Sequence, residues 1–239
     1  LRPAFRQACS IWARTSAKRS AMDGAAEAGL EAVMALSENA EKLWQTATAL
    51  ALQAAAVSPR ASALPPLLFF TDPLRTPEPW VTAARLPAGS AVVFRAFSAP
   101  DALQTGQRLK AACQAAKVKL LVGRDDELAR ALDADGLHLP ERDLQNAPAL
   151  RRLYPQWILT GAVHTANSWD EAKALDAAVV SPVFPAGGTS ASKTALGIEG
   201  FNILSEAAPC PVYGLGGIHA GNADALLQTR ACGLAGVDA

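Results

Sequence analysis

From residue 67 onward, short apolar runs alternate with longer stretches in which apolar residues recur every three or four positions. The runs at 67–71, 91–95, 118–122, 136–139, 157–161, 177–181, 212–215 and 233–237 are four or five residues long and end at turn-forming residues. A continuous apolar run of that length suits a strand buried on both faces, as in a parallel sheet. The stretches between them, such as 101–116, 125–132 and 168–175, predict short helices. Strand and helix in alternation, with eight strands, predict an α/β fold of the (β/α)₈ barrel type.

Ahead of the barrel, 25–56 is rich in Ala, Leu and Glu and has neither Gly nor Pro after Gly29. Leu30, Val33, Met34, Leu43 and Leu50 fall at roughly helical spacing, which predicts one long helix or two shorter ones. Pro59, Pro65 and Pro66 then interrupt any helix, so 58–66 reads as a linker. The expected organisation is a tail over 1–24, a helical extension and linker over 25–66, and the barrel over 67–239. The last apolar run ends the chain, so no helix of its own follows it to cover its outer face. Strand 1 neighbours strand 8 in a closed barrel, so the helix within 27–52 is expected to pack into that place. The alternative is a lost last helix.

Composition narrows the function classes. The chain has 239 residues, 50% of them hydrophobic, and balances 22 basic against 22 acidic side chains. No basic field points to nucleic acid or an anionic membrane. No apolar run reaches the roughly 18 residues that a membrane helix needs. Cys9, Cys113, Cys210 and Cys232 are far apart and form no metal or redox motif, which suits reduced thiols in a cytoplasmic protein. Arg2, Arg6, Arg14, Lys18 and Arg19 are the only charged residues before Met22. That composition resembles an organelle transit peptide; the plainer readings are a disordered tail, or sequence upstream of a start at Met22. Oligomeric state is not legible, and a homo-oligomer stays open.

The chemistry concentrates at two glycine-bearing strand ends, PVYGLGGI at 211–218 and GLAGVDA at 233–239. Gly216 and Gly217 let the backbone approach a ligand and accept positive φ. In a (β/α)₈ barrel the loops after strands 7 and 8 frequently bind phosphate. The alternative is that these glycines only permit tight turns.

Further segments fall in the order of one known family. LLFFTDP (67–73), DGLHLP (135–140), GAVHT (161–165), VVSPVFP (179–185) and YGLGGI (213–218) resemble the successive strand ends of the thiamine phosphate synthase/TenI family. The resemblance runs from about Leu67 to the end and leaves out the first 60 or so residues. Its synthases join a thiazole phosphate to an aminopyrimidine pyrophosphate. Its TenI-type members bind similar thiazole phosphates, and some shift a proton within the ring.

The resemblance implies that backbone amides around Gly216, Gly217, Gly236 and Val237 hold a thiazole phosphate. It makes His164 the candidate acid/base, against a locally bonded histidine. The pyrophosphate side departs from the synthases. Their Gln-x-Arg-x-Lys pattern becomes Val93, Arg95 and Phe97, so Arg95 alone survives. Ala162 stands where they carry a serine. Their metal carboxylate after strand 3 meets Arg124, unless a one-residue shift brings in Asp125; Asp143 matches the second metal carboxylate. The loop 184–193 offers Thr189, Ser190 and Lys193 as loosely placed donors, and its Gly-Gly pair suggests a flap; a solvated Lys193 is the alternative. Mg²⁺ is expected only of a synthase. The thinned pyrophosphate grip slightly favours tautomerase-like chemistry on a thiazole phosphate. A genuine synthase and a non-catalytic binder remain the alternatives. His138, Trp157, Phe69 and Phe70 read as core, His219 as exposed, and packing is preferred over ligand stacking for Phe94 and Phe97.

Overall fold

A computed structural model describes residues 36–187 and 193–237. The tail expected over 1–24, the helical pattern up to residue 35, and Thr189 and Ser190 lie outside the described residues. Eight parallel strands close into a barrel in sequence order. They are β1 (Leu67–Phe70), β2 (Ala91–Phe94), β3 (Lys119–Gly123), β4 (Gly136–Leu139), β5 (Ile158–Val163), β6 (Ala177–Val180), β7 (Val212–Leu215) and β8 (Ala231–Gly236). The ring closes where Phe69 of β1 pairs with Gly236 of β8. β5 runs past its expected end, and β8 begins ahead of its expected start.

Side chains alternate between two buried layers, as the pleat requires. Leu68, Phe70, Val93, Leu121, Val179, Tyr213 and Ala235 form the inner one. Their neighbours Phe69, Val92, Phe94, Leu120, Val122, Leu137, Leu159, Val180 and Leu234 belong to the outer layer beneath the helices. Phe70 on β1 and the His138 ring on β4 meet in a T-shaped arrangement, 4.8 Å between centroids. These strands are not neighbours, so the contact crosses the interior.

The helices are α1 (Glu38–Val57), α2 (Pro79–Ala83), α3 (Ala102–Ala116), α4 (Asp126–Ala131), α5 (Ala147–Leu153) and α6 (Gly197–Glu206). α1 packs on β8. Its Ala47 and Leu50 are fully buried in the outer layer with Val212 and Leu234, and Thr46 Oγ1 donates to Asp224 Oδ1 at 2.8 Å. From Glu38 onward, a helix ahead of the first strand thus covers the last one. The segment expected as a helix at 168–175 is instead two 3₁₀ turns, Ala166–Ser168 and Glu171–Ala174. Two anchors hold it there: the Ser168 hydroxyl donates to Glu141, and Trp169 Nε1 donates to the Leu204 carbonyl.

The proline-rich 58–66 is more than a linker. Pro59–Ala63 forms a 3₁₀ turn, and Ala61 and Leu64 join the inner layer. Tyr213 Oη donates to Pro65 O at 2.6 Å, and Leu234 N to Pro66 O at 3.0 Å. A Cβ on Gly233 would lie 2.3 Å from Pro66 O, so only glycine lets this segment seat. It floors the barrel at the strands' N-terminal ends and leaves the opposite mouth for ligands. No described helix is long and apolar enough to cross a membrane.

Candidate active site

His164 follows β5 and is held from both sides. On the β4 side, Glu141 Oε1 accepts from His164 N at 2.8 Å, Thr165 N at 3.3 Å and Ser168 Oγ at 2.7 Å. On the β6 side, the His164 ring places Nδ1 2.9 Å from the Ser181 carbonyl oxygen. A carbonyl only accepts, so Nδ1 carries the proton. The Ser181 hydroxyl is a weaker neighbour at 3.4 Å. Nε2 has no hydrogen-bond partner among the described residues. Burial pushes the Glu141 carboxyl up, but the His164 amide, the Ser168 hydroxyl, the charge of His164 and the Thr165 amide together hold it below its ordinary value.

Arg95 leaves β2 and turns over the mouth. Its backbone amide donates to Thr71 Oγ1 at 2.9 Å and its Nε to Thr71 O at 2.6 Å. Nη2 is buried 3.5 Å from Asp72 Oδ2 and completes no hydrogen bond among the described residues. Burial draws the guanidinium down from its ordinary value, and Asp72 opposes that. Phe70 and Phe97 lie against the guanidinium at 5.8 and 5.3 Å from their ring centres. Phe94 is packed, at 4% exposure, but Phe97 is 64% exposed, so packing does not account for it. Phe97 and Ser98 both take positive φ, at 47° and 62°, which carries Phe97 out of the core. His138 is buried, with Nδ1 2.9 Å from Thr160 Oγ1. Burial, aided by the Arg95 charge, pushes it down to about 3. It is therefore neutral near neutral pH and serves as a wall rather than an acid.

The two carboxylates considered for a metal each already have a partner. Asp125 caps α4, its Oδ1 accepting from Leu128 N at 2.8 Å. Asp143 Oδ2 is engaged by Arg124 Nε at 3.0 Å. No cluster of three or more His, Cys, Asp or Glu side chains suited to a metal occurs among the described residues. With one carboxylate capping a helix and the other neutralised by a guanidinium, these residues do not fit a bound Mg²⁺.

Across the mouth, Leu215 of β7 pairs with Ala235 of β8, so Gly216 and Gly217 emerge beside Gly236 and Val237. Gly216 and Gly217 take φ of 100° and 63°. The loop after β6 seats on them: Phe184 N donates to Gly216 O at 3.0 Å, and a Cβ on Gly217 would lie 2.4 Å from Pro185 O. A Cβ on Gly216 would strike Pro182, the neighbour of Ser181. His164, Ser181, Pro182 and the glycine turn are thus contiguous, and one loop joins the imidazole to the closing strand ends. Lys193 is exposed, and Thr189 lies outside the described residues. His219 is exposed.

A family model described as thiamine monophosphate synthase matches residues 68–239. The chain belongs to the thiamine monophosphate synthase family. Among its relatives is the thiamine-phosphate synthase of Oceanobacillus iheyensis, 29% identical over 57% of this chain and 68% of that protein. The thiamine-phosphate synthase of Archaeoglobus fulgidus is 31% identical over 57% of this chain and 64% of that protein. The chain thus spans about two thirds of these relatives. A solved structure of a thiamine phosphate pyrophosphorylase from Pyrococcus furiosus superposes with a TM-score of 0.59 at 25% identity, covering 74% of this chain and 87% of that one. The thiamine monophosphate synthase family thereby accounts for the barrel. Four residues at this mouth were not singled out from sequence: Glu141, Ser181, Thr71 and Asp72. Each lies just past the C-terminal end of a strand, where this fold keeps its chemistry, and Thr71, Asp72 and Ser181 also fall in the segments 67–73 and 179–185; for Glu141 position is the signal.

Proposed function

We propose that this chain serves thiamine biosynthesis by binding a thiazole phosphate and moving a proton on its ring, with His164 as the acid/base. The orientation of His164 carries this reading. Its Nδ1–H is committed to the Ser181 carbonyl, its backbone is clamped by Glu141, and Nε2 is left to take or give a proton. The phosphate would rest on backbone amides around Gly216, Gly217, Gly236 and Val237, one loop away. Preorganised amides suit an anion without any metal.

The names of the relatives favour a second reading, a thiamine-phosphate synthase. That reaction expels pyrophosphate and calls for several cationic groups at the departing anion. Here Val93 and Phe97 flank Arg95, and Arg124 is turned to Asp143. The two readings separate in one pair of assays. Thiazole phosphate in heavy water, followed by NMR, should exchange a ring proton faster with the protein than without it. His164→Gln should slow that exchange by about 10²- to 10⁴-fold. Thiazole phosphate mixed with the aminopyrimidine pyrophosphate and Mg²⁺ should release pyrophosphate no faster than a protein-free control. Release at an enzymatic rate would establish the synthase, and binding with neither activity would establish a binder.

A further inference from the structure

The end of β3 carries Gly123-Arg124-Asp125, and each member is tied down differently. Arg124 sits at φ 70°, a conformation that disfavours side chains. Its backbone amide donates to His138 O at 2.8 Å, which fastens it to β4. Asp125 N donates to Gly123 O at 2.9 Å, and its carboxylate caps α4. This backbone path sends the guanidinium, and not the neighbouring carboxylate, towards Asp143. The Asp143 side chain is 19% exposed and receives Arg124 Nε at 3.0 Å. The rest of the Arg124 side chain, 65% exposed, stays in contact with solvent at the mouth.

We propose that Arg124 is a resident cation that occupies the charge position a divalent metal would take between the ends of β3 and β4. Asp143 then needs no metal to balance it, and a divalent ion approaching it meets a fixed positive charge. The corner is thus charge-balanced by a side chain at any magnesium concentration, whichever reaction the site performs. A strained, non-glycine conformation held by a hydrogen bond that its own amide donates to the next strand is the kind of backbone outlier that marks a functional position.

Mn²⁺ is the probe, read by the loss of its free-ion EPR signal on titration into the full-length protein. Wild type should leave the signal unchanged through the millimolar range. Arg124→Asn should produce a saturable loss, and adding Asp143→Asn should abolish it. Asparagine tolerates left-handed φ, so this variant keeps the turn; Arg124→Lys, which keeps the charge, should behave as wild type. Saturable binding by wild type that Asp143→Asn removes would overturn the proposal. So would an Arg124→Asn protein that binds Mn²⁺ no better than wild type. None of these readings depends on the proton-transfer assay, so either inference can fail alone.

Discussion

A histidine is a directed base only when one ring nitrogen is already committed, and here the Ser181 carbonyl does the committing. Glu141 supplies the other half by holding the backbone that carries the ring. Glu141→Ala removes the acceptor of two amides and a hydroxyl, and should cost about 1–3 kcal/mol in urea unfolding. It should lower kcat more than it raises KM, because ring orientation is lost while the phosphate contacts remain. Glu141→Gln keeps an acceptor oxygen and should lose less on both counts; equal losses would show that charge, not geometry, matters. Since the folded carboxyl is held below its ordinary value, its contribution is fully present at neutral pH and fades as pH falls through the acid range. His164 was legible in sequence because it sits at a strand end in a recognisable segment. Glu141 and Ser181 were not, because their roles lie in hydrogen bonds across strands, and nothing in local composition records them. Asp125 shows the converse: in sequence it was a carboxylate near a metal position, while the fold uses it as a helix cap. Asp125→Ala should cost about 1 kcal/mol of stability, measured by the same denaturation.

Strands were the most legible elements, because each is largely buried on both faces and so reads as a short, mostly apolar run. Their ends moved by a residue or two, since pairing with neighbours and not composition decides where a ladder stops. The helices depended more on context. α3 matches its expected span closely, whereas 168–175 turns twice because Ser168 and Trp169 are fixed by distant partners. The prolines of 58–66 signalled the end of a helix correctly, yet their service as the barrel floor depends on Tyr213, far along the chain. α1 is the element on which closure most depends, since β8 has no following helix among the described residues. Leu50 is fully buried where α1 meets β8, so Leu50→Ala should cost about 2–5 kcal/mol. Leu52, 68% exposed on the same helix, is the control: Leu52→Ala should change the urea midpoint little. Similar losses at both positions would mean that the helix is held by propensity and not by this interface.

The whole barrel imposes one condition that no single element reveals: its interior must keep His138 uncharged. The ring lies against Phe70 from across the barrel and bonds Thr160 on the next strand, with the Arg95 charge near enough to oppose a second cation. In the unfolded chain the same imidazole protonates near its ordinary value of about 6.5; in the folded barrel it does so only near 3. Between those limits the unfolded state binds a proton that the folded state refuses. Stability from this residue is therefore complete above pH 6.5 and is lost steadily as pH drops towards 3, with a slope approaching about 1.4 kcal/mol per pH unit for one proton. Urea midpoints of wild type and His138→Gln, measured from pH 7.5 down to 4, should diverge in slope below about pH 6.5. The variant should be flatter, because glutamine keeps a hydrogen-bonding group beside Thr160 but has no proton to gain. Glu141 and the other carboxylates titrate in both proteins, so they cancel in the difference between the two curves. Parallel curves through this range would mean that water or backbone movement reaches His138 and lets it charge inside the fold, and that the barrel interior is less closed than the Phe70 and Thr160 contacts imply.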